Sequence, residues 1–414
     1  MSYREPTDIG RDKGRVGGGF VRPQPGRSGR VFAKTERLHP AAAGVALYIL
    51  VAVGRLQELV PPLNGLPLAK IALVLAVIGV VMAPAGRNRP LRGMPLAKPL
   101  IILAALGAFS VIVSVWKSHS LDFFLGTFLG NVLLFFLLVK SADNGRTRNF
   151  YVGALVLSAM LLAVPALTMS GSERVEASTA YDANDLAAVL VTLLPLAAVA
   201  VFSGRNRAVW GAVSLALVAA VVATGSRGGF VGLVAVVFYF VWVRIPAGKA
   251  AKAGRGKRML LLALASLFSA AVVGGAALER IGTLANLEND YNFKAETGRL
   301  AIWQRGATIM AQRPWGVGLN AFEAAEGMEG GRYKAAHNSL LQVGAELGLA
   351  GLWVFVSLCL GGYRLLSSGA GGKGGAARTE QSPLAVGLRA GLIGFFVTGF
   401  FLSHAYAPGL YALL

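Results

Sequence analysis

Long apolar runs separated by short, mostly basic connectors constrain this chain more than any other feature. With their flanks, runs such as 71–83, 99–116, 123–139 and 384–402 are long enough to cross a hydrocarbon core of about 30 Å as helices. The chain is 55% hydrophobic and has a mean hydropathy of +0.60, which excludes an ordinary soluble globular protein. The sequence therefore predicts an all-α, polytopic helical membrane protein with about 11–12 transmembrane helices.

The apolar pattern divides the chain into a short tail and a long membrane domain. Residues 1–38 are polar, rich in Gly, Arg and Pro, and lack the apolar core of a signal peptide, which predicts a disordered basic cytoplasmic tail. Residues 39–414 form the predicted transmembrane domain, with one long periplasmic loop, 279–339, that contains helices. The predicted spans are 39–59, 66–83, 98–116, 121–139, 150–168, 184–203, 208–224, 228–244, 259–278, 340–362 and 384–403.

The formal net charge of +20 reports orientation and does not indicate a nucleic-acid partner. Most of the 40 Lys and Arg residues lie in the N-terminal tail and in alternate connectors, and they do not form one patch. Such an asymmetry follows the positive-inside rule, so the basic connectors are assigned to the cytoplasm. The remaining connectors, including the long loop, then face the opposite side.

The turn Thr224–Gly229 holds an arginine, Arg227, between two spans on the predicted outer side. An arginine at such a depth costs energy unless its side chain reaches the interface or meets an anion. Snorkelling is the ordinary explanation, and it is commoner in basic cytoplasmic turns. The flanking glycines leave room for a ligand, so we expect Arg227 to bind an anion.

A second arginine, Arg299, lies near the start of a helix predicted inside the long loop. Thr297 is the expected N-cap, and the helix is expected to end near Gln312, before Pro314. A cation in a first helical turn opposes the helix dipole, which an anion bound there would offset. The alternative is a solvated charge or a pair with Glu296. Leu300, Trp303, Ala307 and Met310 form an apolar stripe on this helix, which is expected to lie on the membrane or on the helix bundle.

His337 is the only histidine in the long loop, and Asn338 follows it immediately before the chain returns to the membrane. The positive end of a helix dipole lowers the pKa of an imidazole, which favours the neutral base. The alternative is a capping or interfacial histidine.

Two further polar sets accompany these residues. Ser339, Gln342 and Glu346 form a polar stripe on an apolar span, and Glu346 is expected to face the bundle and to pair with an arginine, with Arg227 as the candidate. Asp182 and Asp185 open the sixth span on the outer side. They could bind a metal ion, but helix capping is the favoured interpretation.

These motifs occur in an order that resembles the O-antigen ligase and O-antigen polymerase superfamily of bacterial inner-membrane glycosyltransferases. The resemblance covers roughly residues 40–404. The motifs that carry it are Asn184 ahead of Pro195, Ser226-Arg227, Thr297-Gly298-Arg299, Pro314–Gly318, His337-Asn338, Glu346 and Gly348.

The resemblance implies transfer of a glycan from an undecaprenyl-pyrophosphate carrier to an acceptor hydroxyl at the periplasmic face, in surface polysaccharide biosynthesis. By this interpretation Arg227 and Arg299 bind the pyrophosphate and His337 is the catalytic base. Asn338 and Asn184 then contribute to substrate binding, and Glu346 is structural. No metal or other cofactor is expected. The acceptor could be lipid A-core, a glycan or a protein, and no residue separates a ligase from a polymerase.

A transporter of a polysaccharide precursor or small molecule is the alternative class. It predicts ionisable residues spread along several spans and a repeat-related architecture. Here the informative ionisable residues collect at the outer face, which favours the glycosyltransferase.

Overall fold

The computed structural model describes residues 36–91, 93–168, 181–202, 206–243, 298–367 and 382–414. The predicted disordered tail therefore lies almost wholly outside the described residues. The predicted span 259–278 and the first part of the long loop also lie outside them. Residues 37–414 belong to one compact unit.

Every regular element in the described ranges is helical, which confirms the all-α prediction. The helices are α1 (Ala42–Ala52), α2 (Leu56–Leu59), α3 (Leu68–Val81), α4 (Ala97–Val113), α5 (Lys117–Ser141), α6 (Gly145–Thr168), α7 (Ala183–Phe202), α8 (Arg207–Ala223), α9 (Arg227–Trp242), α10 (Arg299–Gln312), α11 (Phe322–Met328), α12 (Ser339–Ser367), α13 (Pro383–Gly399) and α14 (Pro408–Leu413). A short 3-10 helix, Pro61–Leu63, follows α2.

The predicted spans coincide with these helices wherever the structure describes them. Within the described ranges, four helices (α5, α6, α7 and α12) are long and apolar enough to cross a membrane, and six further apolar helices are shorter. The first span is shorter than expected, because the helix ends at Ala52 and Arg55 adopts a left-handed conformation (φ 51°) before α2. Helix α5 is longer than expected and runs through a π-helical turn at Phe124–Phe128.

Helix α13 packs closely on α7 through three glycines, Gly387, Gly391 and Gly394. A Cβ atom on Gly391 would lie only 2.6 Å from the carbonyl oxygen of Thr192 in α7. Small residues allow this close approach of helix backbones, which is typical of membrane bundles. The packing fixes the residues that follow α13 over the beginning of α7, where several predicted site residues lie.

Helix α12 is kinked at Gly348, whose φ of 72° interrupts the helical hydrogen bonding. The Pro314–Gly318 segment lies against this kink. The N–H groups of Val317 and Gly318 donate to the carbonyls of Ala345 and Glu346 over 2.9 and 3.0 Å, and Leu349 N donates to Pro314 O over 3.0 Å. The segment therefore satisfies the backbone groups that the kink leaves open, as a broken helix at membrane depth requires.

Connectors that the charge pattern assigns to the cytoplasm meet at one end of the bundle. Arg87 Nε donates to Asp143 Oδ2 over 2.7 Å, Asn144 Nδ2 donates to Arg37 O over 3.0 Å, and Arg89 N donates to Lys140 O over 3.0 Å. The predicted site residues lie at the other end, which we call the site end.

The last helix, α14, turns back into the bundle. Leu410, Tyr411 and Leu413 are buried, and a Cβ atom on Gly391, half-way along α13, would lie 3.0 Å from Leu413 Cδ1. The apolar face of α14 therefore packs into the core.

Candidate active site

The turn that carries Arg227 is tied to the start of α7. Ser226 caps α9, accepting the N–H of Gly229 over 3.1 Å, and its hydroxyl donates to Asn184 Oδ1 over 2.9 Å. Arg227 is the first residue of α9 and is half-buried. Asn184, predicted from sequence to bind substrate, thus also holds this turn in place.

Helix α7 begins with a cap formed by Asp182. Its Oδ1 accepts the N–H groups of Asn184 and Asp185 over 2.7 and 2.8 Å, which confirms the capping interpretation for Asp182. Asp185 has a different partner, because its Oδ1 lies 2.8 Å from Nε2 of His404. Among the described residues, no group of three or more His, Cys, Asp and Glu side chains could hold a metal ion.

Arg299 is the first residue of α10, so its predicted place in a first helical turn is confirmed. The N-cap is Gly298 and not Thr297, and the helix ends at Gln312 as expected. The Arg299 Cζ atom lies 6.0 Å from the centroid of the Phe401 ring. A Cβ atom on Gly228 would lie 3.4 Å from Phe401 Cβ. Phe401 therefore contacts the starts of α9 and α10, each of which begins with an arginine.

His337 precedes α12 in a left-handed conformation (φ 46°), which is uncommon for a residue other than glycine. Its N–H donates to Ser403 Oγ over 2.9 Å. Asn338 then caps the helix, since its Oδ1 accepts the N–H groups of Leu340 and Leu341 over 2.9 and 3.0 Å. This cap occupies the side-chain oxygen of Asn338, a residue that was predicted to contribute to substrate binding.

The pKa of His337 is lowered from its ordinary value of 6.5, as expected from sequence, but the main causes are different. Burial is the largest, and the positive charge of Arg299 is the second, while Asp182 and Asp185 raise the pKa and Lys334 lowers it slightly. The helix dipole was the predicted cause. The effect of Arg299 on His337 shows that the two predicted site residues share one electrostatic environment.

A connecting segment, Phe401–His404, joins these parts, and sequence reasoning missed it. Leu402 O accepts from Ser339 Oγ over 2.8 Å, Ser403 accepts from His337, and His404 N donates to Ser339 Oγ over 3.0 Å. The segment thus contacts the chain at the beginning of α12 through both His337 and Ser339. A signal existed in the polar pair Ser403-His404 directly after an apolar helix.

Helix α10 packs on the bundle mainly through a face beside its predicted apolar stripe. Leu300 and Ala307 are exposed, whereas Ile302, Gly306 and Ile309 are buried. The reason is Gly306, where a Cβ atom would lie 2.7 Å from Leu341 Cδ2, so α12 approaches that face. From the predicted stripe, the half-buried Trp303 donates its Nε1–H to Ala336 O over 3.0 Å. Its ring also packs edge-on against Phe400 at 5.4 Å.

Glu346 faces the bundle as predicted and is 1% exposed. The prediction that it pairs with an arginine is wrong. Its Oε2 accepts the N–H of Asn320 over 2.9 Å, and in the described ranges no cation forms an ion pair with it. The Pro314–Gly318 segment brings this backbone donor to the carboxylate. Ser339 and Gln342 of the same stripe are also buried.

A second buried carboxylate, Glu326, organises the loop ahead of His337. Arg305 Nη2 lies 2.6 Å from Glu326 Oε1, and the other oxygen accepts the N–H groups of Arg332 and Lys334, both over 3.0 Å. Sequence reasoning assigned Arg305 no role. The pair leaves the Glu326 carboxylate satisfied, so it holds the chain that leads to the site.

The family model for O-antigen ligase matches residues 212–356 of the 414-residue chain. The resemblance to the O-antigen ligase and polymerase superfamily is confirmed. A search of curated proteins found no match. The O-antigen ligase match contains Arg227, Arg299 and His337, whereas Asp185 and the connecting segment lie outside it. The match supports a ligase- or polymerase-type function in surface polysaccharide biosynthesis, and the apolar helices fit a membrane protein.

Proposed function

We propose that this membrane enzyme transfers a glycan from undecaprenyl pyrophosphate to an acceptor hydroxyl at the periplasmic face of the bacterial inner membrane. The observation that carries the proposal is that Phe401 contacts the starts of α9 and α10, whose first residues are Arg227 and Arg299, while Ser403 of the same connecting segment holds His337. The family match supports the class of reaction. The charge pattern supports the orientation.

The two helix starts provide a site for pyrophosphate. The first N–H groups of a helix have no partner within it and point toward an anion bound at that end. Arginine adds a planar set of donors that binds two phosphate oxygens at once. Negative charge on the leaving pyrophosphate grows as its bond to the sugar breaks. These N–H groups therefore stabilise the transition state more than they stabilise the bound lipid-linked substrate.

His337 is the base that takes the proton of the acceptor hydroxyl. Burial and the charge of Arg299 keep its imidazole neutral at pH 7, as this role requires. The acceptor oxygen bonds to the anomeric carbon as the bond from that carbon to the pyrophosphate oxygen breaks. The electron pair leaves with the pyrophosphate, the proton passes to His337, and the anomeric configuration inverts.

The proposal assigns charge stabilisation to arginines and no step to a metal ion. The engagement of Asp182 as a helix cap and of Asp185 with His404 supports it. The pyrophosphate site is compatible with an acceptor hydroxyl on lipid A-core, on a glycan or on a protein.

The test is transfer by the purified full-length protein in lipid vesicles. The substrates are an undecaprenyl-pyrophosphate-linked repeat unit and, in separate reactions, lipid A-core, a second repeat unit or a hydroxyl-bearing peptide. The proposal predicts release of undecaprenyl pyrophosphate, a product of inverted anomeric configuration with one acceptor, and full activity in a metal chelator. Retained configuration, or loss of activity in chelator that added metal restores, would contradict it.

A further inference from the structure

Asp185 and His404 form a hydrogen-bonded pair at the site end, although 219 residues separate them in sequence. Asp185 Oδ1 and His404 Nε2 lie 2.8 Å apart, and the two side chains are 29% and 12% exposed. Asp185 belongs to the first turn of α7. The pair therefore joins α7 to the residues that follow α13.

The connecting segment extends this link to the residues of the proposed reaction. His404 is held at its backbone as well, because its N–H donates to Ser339 Oγ over 3.0 Å. One residue earlier, Ser403 accepts the N–H of His337 over 2.9 Å. Two residues before Ser403, the ring of Phe401 lies beneath the guanidinium of Arg299. A displacement of His404 would therefore also displace Ser403 and Phe401.

The backbone of His337 depends on such support. Its φ of 46° lies in the left-handed region, which a residue with a side chain occupies only where the surroundings hold it. The N–H of His337 points to Ser403 in this conformation. Ser403 is in turn placed by the two anchored residues beside it, Leu402 and His404.

We infer that Asp185 and His404 are a positioning pair for His337: they fasten the connecting segment to α7, and the segment sets where the His337 imidazole stands relative to Arg299. The inference rests on the proposed function, in which His337 is the base. The pair does not touch the reacting atoms in this account. It acts through Ser403.

Asp185 also acts on His337 through its charge. The charged groups that act on His337 are Arg299 from α10, Asp182 and Asp185 from α7, and Lys334 from the loop before it. Asp185 raises the pKa of His337 against Arg299 and Lys334. Asp185 thus affects both the position of His337 and its proton affinity.

Two conservative substitutions separate these contributions. Asp185→Asn removes the charge but keeps an oxygen that accepts from His404. His404→Gln keeps an N–H that reaches Asp185 but removes the imidazole ring. His404→Ala removes the contact itself.

The readout for His337 needs no substrate. Diethyl pyrocarbonate acylates only a neutral imidazole, so the rate of labelling against pH reports the pKa and the access of each histidine. Trypsin places the four histidines in four different peptides, with His337 in 335–364 and His404 in 390–414. Glycan transfer is measured on the same full-length preparations in vesicles, with His119→Gln as the control at another histidine.

The expected results differ between the variants. His404→Ala reduces kcat by about 10²-fold, the cost of misplacing a catalytic group by about 1 Å, and changes the labelling rate of His337. His404→Gln retains most of the wild-type kcat. Asp185→Asn moves the labelling midpoint of His337 to lower pH, and His119→Gln leaves it unchanged.

Three outcomes would overturn the inference. His404→Ala could leave both kcat and His337 labelling at the wild-type level, which removes any positioning role. His404→Gln could lose as much activity as His404→Ala, which makes the ring itself the active group. If His404→Ala does not fold, Asp185→Ala removes the same contact from α7, and a wild-type kcat in that variant is decisive against the pair. Absence of transfer by the wild-type protein would contradict the proposed function alone, since the labelling still tests the pair.

Discussion

The backbone N–H of His337 donates to the Ser403 hydroxyl over 2.9 Å, so a residue from the loop is held by a residue that follows the last long helix. This bond joins the family-matched segment 212–356 to a part of the chain outside it. His337 stands in a left-handed conformation at that point. The proposed base is therefore positioned by contacts that its own motif does not contain.

The two arginines should be separately required for transfer. Arg227→Ala and Arg299→Ala are each expected to reduce kcat/KM by about 10²-fold or more, because each removes donors aimed at developing charge. Lysine at either position should restore only part of the rate, since an ammonium cannot bind two phosphate oxygens in parallel. Initial rates in vesicles are the measurement.

Arg87→Ala is the matched control, because Arg87 pairs with Asp143 at the opposite end of the bundle. Wild-type transfer by either site-end alanine variant would remove that arginine from the pyrophosphate site.

The pH profile should show a base with a lowered pKa. Since the pKa of His337 lies below 6.5, the acid limb of kcat/KM is expected below that pH. The unfolded chain then binds the proton more tightly, so the contribution of neutral His337 to stability is present above about pH 6.5 and falls at lower pH. An acid limb above 6.5 would contradict the buried, Arg299-facing environment.

Arg299→Gln gives the converse test. Removing this positive charge should move the labelling midpoint of His337 to higher pH, because Arg299 is the second largest cause of the lowered pKa. The labelling assay applies even where the variant is inactive. A midpoint that does not move would show that Arg299 does not face His337.

The kink in α12 should not tolerate a side chain at Gly316. A Cβ atom there would overlap the backbone carbonyl of Glu346, and the φ of 94° is itself unfavourable for alanine. Gly86 has a similar φ of 83° with no atom within 4 Å, so Gly86→Ala measures the backbone cost alone, about 1 kcal/mol. Gly316→Ala should lower the Tm clearly more than Gly86→Ala. Equal losses would contradict the close contact.

Glu346 should matter as an acceptor more than as a charge. Glu346→Gln keeps an oxygen for the N–H of Asn320 and is expected to fold with a small loss of stability. Glu346→Leu leaves that buried N–H without a partner, at a cost of about 1–3 kcal/mol. Comparable loss in the Gln variant would indicate a cation partner instead.

Features that depend on neighbouring residues were predicted well from the sequence. Helix positions follow from the lengths of apolar runs, and Arg227, Arg299 and His337 are conspicuous because polar residues interrupt an apolar pattern. Caps such as Asp182 and Asn338 act on the next few N–H groups, so their signals are local too.

Features that depend on distant contacts were missed. The buried face of α10 is decided by Leu341 against Gly306, and periodicity does not count a glycine as a contact residue. The partner of Glu346 is a backbone N–H, and because every residue except proline has one, the sequence does not indicate which residue supplies it. Asp185 and His404 lie close together because α13 packs on α7, and this packing cannot be predicted from either residue's local sequence.

The most direct test of the central claim is the rate of a single turnover by His337→Gln, with the enzyme in excess over the lipid-linked donor and the folded fraction matched to wild type. The account predicts that donor binding is retained, because Arg227 and Arg299 are intact, while the rate of glycan transfer falls by about 10²- to 10⁴-fold. Transfer at the wild-type rate by this variant would contradict the assignment of His337 as the base.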